Sequence, residues 1–257
     1  MLLCLDIGNS QIYGGVYDED QLKFSFRRTS SVRASSDELG IFFRSILRDN
    51  EIEPRRVKMA AICSVVPDAL HSLKNCFLKY FGFDPFILQP GVKTGLKIRY
   101  RNPLEVGADK IANAIGAVAR YPDRNLLIID FGTATTICAV SREKEYLGGI
   151  ITPGIHISMA ALESKTARLP AVEIVRPAEV LGRSIVESIQ AGLYYGTLAT
   201  VSSLVERVSA TYFSTDRPVV IGTGGYGRLF ESEKIFDAFV PELSLMGLNK
   251  AMLLTAD

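Results

Sequence analysis

The chain has 257 residues, 47% of them hydrophobic and 22% charged, with a net charge of +1. That composition describes an ordinary globular chain with enough core for one large domain or two small ones. Balanced charge argues against a dedicated nucleic-acid surface. No window approaches ~18 uninterrupted apolar residues, so no membrane span is expected.

The N-terminal segment carries the first functional signal. Leu2-Leu3-Cys4-Leu5 is an apolar run that ends in Asp6-Ile7-Gly8-Asn9-Ser10, and Ile12 to Tyr17 is apolar again. A buried strand, a tight turn at the glycine and a second strand are expected. Free N–H groups of such a turn, with the Asn9 and Ser10 side chains, can donate to phosphate oxygens. Asp6 would repel a phosphate, so it calls for a cation. Hard carboxylate oxygens suit Mg²⁺, which keeps several waters and bridges to nucleotide phosphates. No basic n-region or cleavage site precedes the strand, so a cytoplasmic location is the expectation.

Further along, strands at 22–28, 57–64 and 85–88 alternate with helices at 36–49 and 68–80. The run from Val57 to Val66 stops at Pro67, as a buried central strand should. Interleaved strands and helices indicate an α/β architecture. Asn102-Pro103-Leu104-Glu105 has the form of a capping box with proline at the first helical position. Apolar residues at 108, 111, 112, 115, 118 and 119 then trace one helical face. Asp109, Asn113 and Gly116 lie beside that stripe. Asp109 reads either as an acid favoured at a helix N-terminus, or as a carboxylate base beside Lys110, a cation that could hold an anionic substrate.

The opening device then recurs as Leu126-Leu127-Ile128-Ile129-Asp130-Phe131-Gly132-Thr133-Ala134-Thr135. A single Asp–Gly at a strand end is an ordinary turn; two matching copies point to related halves around a nucleotide. Thr133 and Thr135 would be donors like Asn9 and Ser10. Asp6 and Asp130 at ~4 Å would repel by roughly 4 kcal/mol at an effective dielectric of ~20, a second reason to expect a cation. Strands at 126–131, 134–140 and 145–151, a helical stretch from Ile185 to Phe213 and a strand at 218–222 repeat the first half's order. The halves should part near 103–120, giving domains 1–115 and 116–257.

Other motifs are less decisive. Gly222 to Gly227 satisfies GxGxxG, but the 30 residues after it are too few for a dinucleotide-binding unit; a floor for a base or ribose, or a plain loop, remains. No Walker GxxxxGK[ST] occurs. The four cysteines show no metal or disulfide spacing, and Cys4, Cys63 and Cys138 read as small buried hydrophobes. His71 reads as a helix-surface residue, and His156 as a candidate near a glycine-rich segment.

The ordered set Asp6-Ile7-Gly8-Asn9-Ser10, Tyr100 with Asn102-Pro103, Gly107-Ala108-Asp109-Lys110, Asp130 to Thr135, Gly148-Gly149 with Pro153-Gly154, and Thr166-Ala167 with Leu169-Pro170 resembles the type III pantothenate kinases. The resemblance implies duplicated ribonuclease-H-like (actin-like) domains with mixed sheets and a nucleotide cleft between them. It implies ATP-dependent phosphorylation of pantothenate in a homodimer, with Mg²⁺ and a monovalent cation, K⁺ or NH₄⁺. By position, Asp109 resembles the proton acceptor. Asp6, Ile7, Gly8, Asn9, Ser10, Gln11, Ile12, Tyr13 and Thr133 match ATP-binding positions. Tyr100, Gly107, Ala108, Asp109, Lys110 and Ile185 match substrate positions, and Asp130 the monovalent-cation position, while Asp6 keeps Mg²⁺ through water. Ser10, Lys110 and Ile185 stand where the family usually has Thr, Arg and Thr; Ser184 could substitute for the last hydroxyl. Rival readings are a regulatory protein that binds ATP without turnover, and a kinase for another small alcohol.

Overall fold

The computed structural model describes residues 1–30, 34–166 and 168–255; Ala167 of the 166–170 motif lies outside the described residues. The chain forms two compact units, Met1–Arg120 together with Leu243–Asp257, and Tyr121–Glu242. The last segment therefore belongs with the first unit, where the sequence reading gave it to the second half.

The first unit opens with β1 (Leu2–Ile7), β2 (Gln11–Asp18) and β3 (Gln21–Thr29), followed by α1 (Ser36–Asp49), β4 (Met59–Ser64), α2 (Pro67–Phe81), β5 (Phe86–Leu88), the two-residue β6 (Lys97–Ile98) and α3 (Ala108–Arg120). Its sheet has the order β3-β2-β1-β4-β5. β1 runs antiparallel to β2 and parallel to β4. Ser35 caps α1 through a capping box with Glu38. Phe43 and Phe77 stack at 6.0 Å, joining α1 to α2. The expected helix start at Pro103 is instead a separate 3₁₀ turn, Pro103–Glu105, in which Asn102 accepts from Leu104 N at 3.3 Å. α3 begins only at Ala108, after the chain leaves that turn in extended form at Val106.

The second unit contains β7 (Leu126–Phe131), β8 (Ala134–Val140), β9 (Glu145–Pro153), α4 (Ile155–Lys165), α5 (Ile185–Tyr212), β10 (Val219–Thr223) and β11 (Ala238–Phe239). Within it the strands follow the order β9-β8-β7-β10-β11. A meander of three antiparallel strands continues into two parallel ones, as in the first unit. The sequence repeat is thus a repeat of topology. Phe131, Phe230 and Tyr194 stack in series at 5.0 and 5.1 Å, tying β7 to α5. Among the described residues no helix is long and apolar enough to cross a membrane.

The element that no periodic pattern announced is α6 (Leu243–Thr255). It packs on α3 at backbone contact: a Cβ on Gly116 would overlap the Leu243 carbonyl oxygen, and one on Gly247 would overlap the Ala112 carbonyl oxygen. Asn249 and Lys250 of α6 bind the β2–β3 turn, with Lys250 Nζ 2.7 Å from Asp20. Gly247→Ala should therefore lower stability by about 1–3 kcal/mol, the cost of overpacking a core that cannot yield. Gly196→Ala in α5, where a new Cβ meets nothing within 4 Å, should raise it by about 0.4–1 kcal/mol. Urea unfolding midpoints of the two variants should move in opposite directions.

Candidate active site

Asp6 stands near the end of β1, in register with Tyr13 on β2 and Cys63 on β4. The following turn is closed by Gly8 N donating to Gln11 O at 2.9 Å. That N–H is used inside the turn. Asn9 and Ser10 form the exposed tip. Arg27 lies 3.9 Å over the Tyr13 ring and donates to Gln11 at 3.4 Å, which places a cation along the same strand edge.

Asp109 occupies the first turn of α3. Lys110 Nζ lies 3.3 Å from its carboxylate, and both side chains are largely covered. Gly107 makes room for the acid, because a Cβ there would overlap Asp109 Oδ1. Asp6 feels this neighbour. Burial, and then the negative charge of Asp109, push the Asp6 carboxyl from 3.8 up to about 6. The charge of Asp109, with Lys110 beside it, is thus felt at Asp6. Asn113 is buried and Gly116 abuts α6, so the rest of that helical face serves packing.

Two side chains at Asp6 were missed by sequence reasoning. Ser244, in the first turn of α6 and 5% exposed, and Cys63 both hydrogen-bond the Asp6 carboxylate and hold its pKa down against burial. The Cys63 thiol is pushed well above its usual range by burial and by Asp6 and Asp109. It therefore stays protonated and donates. The parallel register of β1 with β4 could have signalled Cys63; nothing local to residue 244 points at residue 6.

In the second unit Asp130 takes the place that Asp6 has in the first. It pairs in register with Thr136 on β8 and Thr223 on β10. Gly132 N donates to Ala134 O at 3.2 Å, closing the turn as Gly8 does. Thr133 is exposed, and Thr135 is 4% exposed. Gly224 has φ +90°, and a Cβ there would overlap Asp130 Oδ1. The glycine-rich loop is fixed to β7 by Tyr226 N donating to Phe131 O at 3.1 Å. It forms no dinucleotide-binding unit; a 3₁₀ helix, Gly227–Glu233, follows.

Tyr100 is 36% exposed, and Ile185 is 54% exposed at the first residue of α5. Ile185 lines a cavity of about 870 Å³ with Leu162, Leu169, Arg183, Ser188 and Ile189. Ser184 lines the same cavity. Its oxygen caps α5, accepting from Glu187 N at 3.2 Å. His71 and His156 are exposed, and His71 contacts Asn75 at 2.9 Å. All four cysteines are buried and in thiol form, without a disulfide.

The described residues hold no group of three or more His, Cys, Asp or Glu side chains that could enclose a metal. The carboxylates present suit Mg²⁺, which is held by one or two carboxylates plus waters and substrate phosphates. The raised Asp6 carboxyl has a measurable consequence without any ligand. Protonation favours the fold below the unfolded value, and that advantage is lost as pH rises through about 6. Asp6→Asn should therefore gain stability relative to the parent between pH 4 and 7, and the gap should close at pH 4. Thermal melts across that range would show a constant difference if Asp6 were an ordinary surface acid.

The family model described as type III pantothenate kinase matches residues 2–207. A Legionella pneumophila (strain Corby) type III pantothenate kinase is 52% identical over 254 residues, 99% of each chain. One from Elusimicrobium minutum is 48% identical over 252 residues, 98% of each. A solved Sinorhizobium meliloti structure, assigned as a 2-dehydro-3-deoxygalactonokinase, superposes with a TM-score of 0.60 at 14% identity, covering 98% of this chain and 96% of that one. That likeness speaks to the fold alone. With the duplicated sheet and the Asp6–Asp109–Lys110 cluster in place, the chain belongs to the type III pantothenate kinase family.

Proposed function

We propose that this protein transfers the γ-phosphoryl group of ATP to the hydroxyl of pantothenate, giving 4′-phosphopantothenate, the first step towards coenzyme A. The observation that carries the reading is the match to such kinases over 99% of the chain at 52% identity, with Asp109 at the first turn of α3 beside Lys110. The bond from the γ-phosphorus to the bridging oxygen breaks, a bond to the alcohol oxygen forms, and the hydroxyl proton passes to Asp109. ADP leaves. The transition state of such a transfer is loose, so positioning and charge neutralisation dominate.

Asp6, the turn from Ile7 to Ile12, Tyr13 and Thr133 hold ATP. Asp6 would hold Mg²⁺, which would supply charge neutralisation at the phosphates. Two facing carboxylates without a cation are held apart only at a cost, and the Asp6–Asp109 pair supports a cation there. Tyr100, Gly107, Ala108, Lys110 and Ile185 hold pantothenate. Lys110 offers a point charge for its carboxylate instead of the bidentate fork of an arginine. Asp130, with Gly224 leaving space beside it, takes K⁺ or NH₄⁺. A homodimer is supported by the exposed Ile151, Ile157, Val180, Leu181, Ile185 and Val186 of the second unit, and a cytoplasmic location fits this chemistry.

Product formation from ATP and pantothenate, set against a panel of sugars and hydroxy acids, tests the reading. ATP binding without turnover of any alcohol would overturn it. Asp109→Asn should fold and bind ATP but lose about 10²-fold or more in kcat, the lower range of general-base assistance. Asp130→Asn should abolish the difference in rate between K⁺ and Na⁺ buffers. If that difference persists in the variant, the monovalent ion sits elsewhere.

A further inference from the structure

A second concave surface in the first unit lies outside everything assigned above. Arg44 and Arg48 of α1, Glu53, Pro54, Arg55, Val57 and Lys58 of the following loop, and Tyr80 and Phe81 of α2 line a pocket of about 420 Å³. Four cations thus face one carboxylate, in a chain whose net charge is only +1. Glu53 is itself engaged by Arg55 at 3.7 Å. Arg44 and Arg48 are four residues apart and share one helix face. Arg48 is in the last turn of α1, where a cation is favoured by the helix dipole. That accounts for one of the four charges. Among the described residues Arg44, Arg48 and Lys58 make no ion pair.

The aromatic wall of the pocket is fixed. Gly40 lets the Tyr80 ring lie against α1, because a Cβ at residue 40 would overlap that ring. Asp37 then accepts from Tyr80 Oη at 2.8 Å and from Lys79 at 2.6 Å. Asp37 is thereby neutralised at the rim instead of opposing an anion in the pocket. A preformed concavity within the range of about 300–1,000 Å³ typical of small-molecule sites is the result. The planar guanidinium forks of arginine suit the multiply charged oxygens of phosphate.

We propose that this pocket binds a small phosphorylated anion carrying two or more negative charges, of the diphosphate or phosphate-ester type. A pocket of this size fits a free small molecule. The proposal is independent of the kinase reading, since none of these residues belongs to the Asp6–Asp109 cluster.

Titration of the full chain with inorganic pyrophosphate, without Mg²⁺ and at constant ionic strength, tests it through backbone amide shifts. The amides of Arg44, Arg48, Arg55, Lys58 and Tyr80 should move saturably, with a dissociation constant below ~1 mM. Arg44→Gln with Arg48→Gln should weaken that binding about tenfold or more. Arg55→Gln with Lys58→Gln, both at exposed positions, should weaken it likewise, which keeps the test valid if the helix variant misfolds. Shifts confined to the turns at Gly8–Ser10 and Gly132–Thr133 would overturn the proposal. So would non-saturating shifts, or unchanged affinity in a folded variant of either pair.

Discussion

Backbone contact between two helices is the constraint on which the first unit depends. Gly116 and Gly247 allow α3 and α6 to approach until carbonyl groups meet the opposing chain. Only at that separation does the start of α3 bring Asp109 near Asp6, while the start of α6 brings Ser244 onto the same carboxylate. Larger residues at either glycine would push the helices apart by roughly the width of a methyl group. The hydrogen bond from Ser244 and the coupling between the acids would both change. Packing and chemistry are therefore specified by the same pair of glycines.

The electrostatics of the cluster are deliberately unfavourable in one respect. Two acids share a covered site, and burial alone lifts Asp6 well above an exposed carboxyl. Hydrogen bonds from Ser244 and Cys63, Arg27 nearby, and Lys110 against Asp109 offset part of that cost. A cation bound there would relieve the remainder. A site that is strained when empty and relaxed when loaded binds charge more tightly than a neutral cleft could, because the unloaded state is the one raised in energy.

Much of this was legible in the chain. The two Asp–Gly segments sit at the ends of buried apolar runs, and their repetition announced two sheets of equal topology. Asp109 beside Lys110 was identifiable from the spacing that opens a helix. What failed did so for local physical reasons. Asn102 bonds Leu104 N, closing a 3₁₀ turn instead of opening the helix at Pro103. α6 is apolar around its first turns as well as on its face, so no stripe marks it. Ser244 lies 238 positions from Asp6, beyond the reach of any periodicity argument.

The return of residues 243–255 to the first unit bears on how the protein is made. A ribosome emits β1 to α3 early, at ~5–20 residues per second. The residues of the second unit, 121–242, all follow before the partner of α3 exists. During that interval the α3 surface around Ala112 and Gly116 has no α6 to cover it. The second unit is thus the first that can finish folding, and the N-terminal half waits for the last helix to be synthesised. Premature termination shortly after residue 242 would leave the second unit complete and the α3 surface around Ala112 and Gly116 uncovered, a ready substrate for chaperones and proteases.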